Sequence, residues 1–307
     1  MTKQEFNLLT SRSHVLLDGA TGSNLMRCGM PRGVCTEQWV LEHPEPLMAL
    51  QRAYVAAGSQ ILYTPTFCAN RHSLSRYGLE AQVRELNTAL VRLTQQAADG
   101  KALVAGDFTT TGVPLEPNGT MEYHTLFEIY QEQIAALADA GVDLLIAETM
   151  LGVDEMTVAL EAAQSVCNLP VLCSMTVQAD GSGYFGGTCI EAVETLQELG
   201  ASAVGINCSY GPEQMECMVR NMKAAAKVPL LVKPNAGMPV ICDDGEVVYP
   251  MGAAEFAQCM TKLVDAGARL VGGCCGTTPE FIAALRERLA SSRDGRIHDE
   301  NVGDYKA

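Results

Sequence analysis

DLLIAETM, residues 143–150, is a short apolar run that ends in a carboxylate and a small polar residue. Its apolar core does not alternate with polar positions, which is typical of a strand in a parallel sheet covered on both faces. Seven other runs of this type occur along the chain, separated by segments with helical spacing of apolar residues. The eight runs are VLLDGA (15–20), QILYTPTF (60–67), ALVAGDF (102–108), DLLIAETM (143–150), PVLCSMTV (170–177), AVGINCS (203–209), PLLVKPN (229–235) and LVGGCCG (270–276).

Helices are predicted between these runs. EYHTLFEIYQEQIAALADAG has helical periodicity and ends at Gly141, and residues 191–199 and 253–266 also end at glycines. The last helix is predicted to begin at Pro279, with Thr278 as its N-cap. Eight strand–helix units in 307 residues predict an α/β fold, a single-domain (β/α)8 TIM barrel over residues 1–292, followed by a polar tail or linker over 293–307.

An open, doubly wound sheet is the alternative α/β architecture. It would be expected to carry a glycine-rich dinucleotide loop after the first strand, and DGATGSNL does not match G-x-G-x-x-G. The segment that follows the first strand, up to Pro46, is longer than a barrel loop requires. We expect it to cap the catalytic face.

The composition excludes some partners and favours one compartment. Hydrophobic residues make up 48% of the chain, and the formal net charge of −15 argues against nucleic acid and anionic membranes as partners. No targeting signal and no apolar run of the roughly 18 residues that a membrane span needs is found. The chain is therefore predicted to be cytoplasmic, without a disulfide framework. Four cysteines are expected to be small buried hydrophobes: Cys167, Cys173, Cys217 and Cys259.

Polar residues end nearly every run, and barrel function lies at the carboxyl ends of strands. The residues that break the apolar pattern at this end are Asp18, Thr64, Thr66, Asp107, Glu148, Asn207, Cys208, Asn235, Cys274 and Cys275.

The three cysteines in this set are the sharpest candidates for a metal site. Cys274 and Cys275 are neighbours, and neighbours converge only if the backbone leaves strand geometry, which the flanking glycines permit. Three thiolates without a fourth protein ligand, from Cys208, Cys274 and Cys275, describe a zinc site with an open position. Packed thiols, a strained vicinal disulfide or a single catalytic thiolate are the alternatives. No histidine follows a strand, so a Cys–His pair is poorly supported.

The carboxylates Asp18 and Glu148 are candidates to hold a substrate ammonium group, because buried carboxylates need partners. A hydrogen-bond network inside the barrel would also explain them. Asn207 and Asn235 are either turn formers or substrate contacts.

The turn after the first strand is the candidate site for a substrate carboxylate. The backbone N–H groups of Gly19 and Ala20 lie in this glycine-containing turn, where successive N–H groups can bind an anion.

The motifs LLDGATGS, IAETM, GINCSYGPEQ, VKPNAGMP and VGGCCGTTPEFI occur in this order. Together they resemble the homocysteine S-methyltransferase family over roughly residues 12–290, with PNAGMP most similar to the homocysteine-binding domain of cobalamin-dependent methionine synthases. The resemblance implies a (β/α)8 barrel, zinc bound by Cys208, Cys274 and Cys275, and homocysteine as methyl acceptor. It also implies that Asp18 and Glu148 hold the homocysteine amino group.

Gly19, Ala20 and Thr64 match positions near the amino-acid end of the substrate. Three segments depart from the common family pattern: Pro65 in TPTF, the segment GDFTTTG, and FGGT at 185–188. They lie on the predicted rim of the site, where they bear on the acceptor and the donor rather than on zinc.

The expected reaction is zinc-dependent methyl transfer to the thiol of homocysteine, with that thiol as the fourth zinc ligand, giving methionine. The resemblance to methionine synthase suggests methylcobalamin or another methylcorrinoid as the donor. We expect a partner protein or domain to carry it, because this chain shows no corrinoid-binding D-x-H-x-x-G segment. Direct transfer from S-methylmethionine, S-adenosylmethionine or a betaine is the alternative. A non-catalytic zinc- or thiol-binding module is the alternative of another class.

Overall fold

A computed structural model describes residues 1–242 and 247–302, with side chains described up to Ser291. Eight strands form one parallel sheet: β1 Val15–Leu16, β2 Ile61–Tyr63, β3 Leu103–Phe108, β4 Leu144–Met150, β5 Val171–Met175, β6 Ala203–Asn207, β7 Leu230–Lys233 and β10 Ala268–Val271. Their order in the sheet is β1-β10-β7-β6-β5-β4-β3-β2. A parallel bridge between Leu17 and Ile61 joins the two edges of the sheet and closes the barrel. This architecture confirms the predicted (β/α)8 barrel.

Helices surround the barrel and connect its strands. They are α1 Lys3–Arg12, α2 Gly22–Arg27, α3 Thr36–Glu42, α4 Pro44–Ala57, α5 Arg71–Leu74, α6 Val83–Ala98, α7 Tyr123–Asp139, α8 Val153–Val166, α9 Cys189–Glu198, α10 Glu216–Ala225, α11 Ala253–Asp265 and α12 Pro279–Val302. In the part of the chain that is described, no helix combines the length and apolarity needed to cross a membrane.

A short hairpin follows β7 at the carboxyl end of the barrel. It consists of β8 Val240–Ile241 and β9 Val247–Val248, which pair antiparallel. All four of their side chains are exposed, in contrast to the barrel strands. This hairpin leads into Tyr249 and the start of α11.

Side chains alternate between the barrel interior and the helix layer along each strand. Apolar interior positions form one buried cluster that fills the lower barrel: Val15, Leu17, Ile61, Tyr63, Ala105, Leu144, Ile146, Leu172, Ala203, Leu231 and Leu270, with Phe6 closing it. Continuing the same alternation toward the carboxyl ends gives buried polar residues instead: Asp107, Glu148, Ser174, Asn207 and Lys233. The interior therefore changes from apolar to polar along the barrel axis, and this change positions the site.

The structure agrees with most of the local predictions. The helix predicted in residues 122–141 is α7, which ends before Gly141, a residue with a left-handed φ of +84°. Helix α12 begins at Pro279 as expected. The backbone of residues 293–302 continues α12, while residues 303–307 of the expected tail lie outside the described residues.

The cysteine predictions were partly wrong. The structure has all twelve cysteines free, in keeping with the absence of a disulfide framework. Cys173 is buried as expected, but Cys217 is exposed, because it lies on the outer face of α10, and Cys167 and Cys259 are only half-buried. Apolar neighbours in sequence therefore did not predict burial for helix cysteines.

Gly205 tests the packing of β6 against β7. A Cβ at this position would lie 1.8 Å from the carbonyl oxygen of Leu231, a backbone atom that cannot move aside cheaply. We expect Gly205→Ala to lower the free energy of unfolding by about 3 kcal/mol, the upper range for overpacking a core. Gly22→Ala is the control, because nothing lies within 4 Å of its added Cβ. Equal unfolding midpoints in urea for the two variants would contradict this packing.

Candidate active site

The three predicted cysteines converge at the carboxyl end of the barrel. The sulfur atoms of Cys208, Cys274 and Cys275 all lie within 4.8 Å of one another, and those of Cys208 and Cys275 are 3.5 Å apart. Among the described residues this is the one cluster of histidine, cysteine or acidic side chains whose ligand atoms could hold a metal ion. Each thiol is partly exposed, so the cluster is open to a ligand.

A tight turn after β10 brings the adjacent cysteines to the same cluster. Cys274 donates its N–H to the carbonyl of Pro234 at 2.7 Å, and its own carbonyl accepts from the hydroxyl of Thr277 at 2.8 Å. Gly276 has a φ of +82°, and a Cβ there would lie 2.4 Å from the side chain of Tyr249. Only glycine meets both requirements, which explains why a glycine follows the cysteine pair.

The third cysteine lies at a backbone position that L-residues rarely adopt. Cys208 has a φ of +54°, and Thr149, a β-branched residue, has a φ of +58°. The Asn207 side chain compensates Thr149: its oxygen accepts the Thr149 N–H at 3.0 Å and its nitrogen donates to the Thr149 hydroxyl at 2.6 Å. Strained backbone of this kind persists where surrounding contacts determine it, and it clusters at functional sites.

Hydrogen bonds between the three cysteine side chains change their pKa values in opposite directions. Hydrogen bonds from the Cys208 and Cys274 thiols lower the pKa of Cys275 to about 3. The corresponding bonds to Cys208 and Cys275 raise the pKa of Cys274 well above its ordinary value. One sulfur is therefore anionic at neutral pH even without an ion, which is the form that binds a metal.

A buried ammonium group lies between the two predicted acids. Lys233, the last residue of β7, places its Nζ 3.0 Å from Asp18 Oδ1 and 3.2 Å from Glu148 Oε1. The same nitrogen is 3.6 Å from the ring centroid of Tyr63. Burial opposes its charge, but Asp18 and Glu148 hold the pKa of Lys233 well above its ordinary value. The structure thus brings Asp18 and Glu148 together, with an internal cation between them.

Glu148 and Asp18 differ in solvent exposure. Burial raises the pKa of Glu148 and the charge of Lys233 opposes that shift. Glu148 also interacts electrostatically with Cys275, so the acids and the thiols share one site. Asp18 is 1% exposed and Glu148 9% exposed, and only the latter retains access to the rim.

The remaining predicted residues lie at the same end but are engaged differently. The hydroxyl of Thr64 is buried between Thr66 and the N–H of Asp107, at 2.6 and 2.9 Å. The N–H of Ala20 donates to Thr277 Oγ1 at 3.1 Å, so this donor already has a partner. Gly19 lies on the same turn. Their contacts with a substrate stay predictions.

Three buried polar atoms at this end have no hydrogen-bond partner within the described chain: the hydroxyl of Tyr63, Oδ1 of Asp107 and Oδ1 of Asn235. Such atoms are rare in folded proteins and are usually satisfied by water, an ion or a ligand. Asn235 was predicted as a substrate contact, and its unpaired oxygen is consistent with that role. Asn207, in contrast, uses its amide oxygen on Thr149 and Ser174.

The sequence analysis missed four residues of this site. Lys233 is the most important, and its signal was a lysine inside an otherwise apolar run, PLLVKPN. Thr149 and Thr277 stabilise the backbone around the thiols, and no composition or spacing signal marks them. Tyr249 hydrogen-bonds Cys275, as its contribution to the lowered pKa of that thiol indicates.

Asp107 gives a pH-dependent test of this polar layer. Burial, followed by the nearby charge of Glu148, raises the pKa of Asp107 well above its ordinary value. The unfolded chain loses this proton near pH 4 and the folded protein at higher pH, so stability falls as pH rises through that window. Asp107→Asn removes the carboxyl group and with it this pH-dependent fall in stability. We therefore expect the variant's advantage in free energy of unfolding over the wild type to grow between pH 4 and pH 8.

Asp139→Asn, on the exposed surface of α7, is the control for the same substitution at a carboxylate that is not buried. Urea unfolding at each pH provides the measurement. An advantage of Asp107→Asn that shrinks with rising pH would contradict the assignment.

The backbone of this chain is similar to that of a solved methyltransferase structure. The metallated form of the homocysteine methyltransferase MmuM from Escherichia coli superimposes with a TM-score of 0.76 and 26% identity, covering 92% of this chain and 98% of that one.

Two curated proteins with similar sequences differ in how much of their own length this chain covers. The methionine synthase of Mycobacterium leprae is 29% identical over 91% of this chain, which spans 24% of that protein. The S-methylmethionine–homocysteine S-methyltransferase of Pongo abelii is 30% identical over 93% of this chain and 81% of that enzyme.

This chain therefore spans about a quarter of the length of the methionine synthases it matches. The sequence model described as homocysteine S-methyltransferase matches residues 15–289, which include every strand of the barrel and the three converging thiols. The chain belongs to the homocysteine S-methyltransferase family of enzymes.

Proposed function

We propose that this protein catalyses zinc-dependent methyl transfer to the thiol of homocysteine, giving methionine, with a methylcorrinoid on a partner protein or domain as donor. The convergence of Cys208, Cys274 and Cys275 on one point of the rim is the observation that carries this proposal. Glu148 lies within electrostatic reach of Cys275 in that cluster, so a thiol and an amino group of one small molecule can both be bound.

The sulfur cluster fits a zinc ion. Tetrahedral zinc with Zn–S bonds of about 2.3 Å places its sulfurs about 3.8 Å apart. Cys208 and Cys275 have a sulfur separation of 3.5 Å, and all three sulfurs lie within 4.8 Å of one another, so small side-chain adjustments reach this geometry. Zinc bound there acts as a Lewis acid that lowers the pKa of a substrate thiol.

The barrel's own residues would orient the acceptor. Glu148 presents a carboxylate to the rim and is suited to the α-amino group. The N–H of Gly19 is the candidate donor to the α-carboxylate, because the N–H of Ala20 is bonded to Thr277. Thr64, Asn207 and Asn235 are proposed as further contacts of the substrate at the same end of the barrel. Binding at both ends of the molecule would align the thiol for an in-line displacement, in which the methyl group moves to sulfur and the donor leaves with its bonding pair.

The methylcorrinoid donor is proposed from the similarity of this chain to methionine synthases and from the resemblance of its PNAGMP motif to the cobalamin-dependent ones. Direct transfer from S-methylmethionine is the second candidate. It is favoured by the S-methylmethionine–homocysteine S-methyltransferase relative, most of whose length this chain covers. S-adenosylmethionine and betaine are further direct donors to include in a panel. A cytoplasmic location stays a prediction.

Substitution of the sulfur ligands tests the metal. We expect Cys208→Ser and Cys275→Ser to bind well below one zinc per chain and to lose methyl transfer, because each removes one of three ligands. Cys217→Ser is the matched control, since this exposed thiol lies on α10 away from the cluster. Zinc content by mass spectrometry and methionine formation give the readouts. Activity that survives complete removal of zinc would refute the proposal.

A donor panel distinguishes the two candidate reactions. Zinc-loaded protein with homocysteine should form methionine from methylcobalamin and not from S-methylmethionine, S-adenosylmethionine or betaine. Turnover on S-methylmethionine alone would replace the proposed donor. Zinc binding without transfer from any donor would instead support a non-catalytic zinc- or thiol-binding module, and addition of a separately purified corrinoid protein is the control for that outcome.

A further inference from the structure

Lys233 is a charged side chain in the barrel interior that the predicted chemistry does not use. It is 2% exposed, and its ammonium group contacts Asp18, Glu148 and the face of Tyr63. A buried lysine is costly unless its charge is compensated, and here two carboxylates and an aromatic ring compensate it. Its position between the two acids assigned to the substrate needs an explanation.

The oxygens of the two acids are not equally available. Asp18 Oδ1 accepts from Lys233 at 3.0 Å, and Asp18 Oδ2 accepts the N–H of Tyr63 at 2.7 Å. Both of its oxygens are therefore occupied, and the residue is closed to the rim. Glu148 uses Oε1 on Lys233, and none of the described contacts engages Oε2. Of these two acids, only Glu148 has an oxygen left for a substrate.

The charges of Asp18, Glu148 and Lys233 also indicate that Glu148 is the residue that binds a substrate ammonium group. With both carboxylates ionised, the two acids would carry two negative charges against the one positive charge of Lys233, so one negative charge would remain. Asp107 also lies within electrostatic reach of Glu148, and burial favours its neutral form. A single ammonium group from a substrate would bring the cluster to neutrality, which is the favourable state for buried ions.

We propose that Lys233 is a positioning residue that sets acceptor specificity: its ammonium group neutralises Asp18 and fixes one oxygen of Glu148, so that the other accepts the amino group of an α-amino thiol. The substrate ammonium does not replace Lys233, because the lysine is enclosed by Tyr63 and both acids. This inference rests on the proposed function and narrows the expected contact from two acids to Glu148.

Binding of two thiols separates this role from a merely structural one. Homocysteine and 4-sulfanylbutanoate share the thiol and the carboxylate, and only homocysteine has the amino group. Isothermal titration of the zinc-loaded protein with each gives an amine preference, the ratio of the two dissociation constants. We expect the wild type to prefer homocysteine by at least about tenfold, the lower range for a charged hydrogen bond.

Lys233→Met should reduce this preference to below about threefold, because Glu148 would lose the cation that keeps it charged and oriented. Glu148→Gln should have a similar effect. In the double variant the two losses should not add, since Lys233 acts through Glu148. Lys233→Arg, which retains the charge, should recover most of the preference. Zinc content and the urea midpoint establish that each variant is folded, and Lys233→Gln replaces Lys233→Met if the latter is not.

Three results would overturn the proposal. A preference of tenfold or more in folded Lys233→Met or Lys233→Gln would show that the lysine is not needed. Additive losses in the double variant would mean that Lys233 contacts the substrate directly. Equal affinities of the wild type for both thiols would show that no amino group is read. Failure of the zinc-loaded wild type to bind either thiol would refute the proposed acceptor itself, and this is distinguishable because it appears before any substitution.

Discussion

The buried ammonium group of Lys233 is the interaction on which the carboxyl end of the barrel depends. It links the ends of β7, β1 and β4, and its position over Tyr63 adds β2. Without it, two carboxylates would share a water-poor interior with no counter-charge, and buried like charges are among the most destabilising arrangements in proteins. The lysine therefore makes it feasible to keep an ionised acid at the rim.

The thiols and the acids form the two ends of one site. The thiol cluster depends on backbone geometry: a left-handed Cys208, a glycine after the cysteine pair, and Thr277 and Asn207 holding the adjacent turns. The acid cluster depends on charge compensation instead. Under the proposed function, a small amino-acid thiol would bind at both ends, with its sulfur at the cysteines and its amino group at Glu148.

Much of the fold and of the site could be predicted from the sequence. Asp18, Glu148, Cys208 and the adjacent cysteines break apolar runs at one end, and parallel strands bring such ends together. Lys233 was not predicted as a site residue, because a lysine at a strand end usually extends its ammonium group into solvent. Only the closed barrel shows that the side chain of Lys233 points into the interior and is buried there. The occupied N–H of Ala20 and the φ of Thr149 arise from contacts between distant strands, which no local pattern encodes.

The proposed function requires the three cysteines to bind one zinc ion that leaves room for the substrate sulfur. X-ray absorption at the zinc edge tests this most directly, because it counts the sulfur neighbours of the metal with and without homocysteine. We expect three sulfur neighbours at about 2.3 Å in the zinc-loaded protein and four after homocysteine is added. An unchanged sulfur count on adding homocysteine, or four sulfurs from the start, would contradict it.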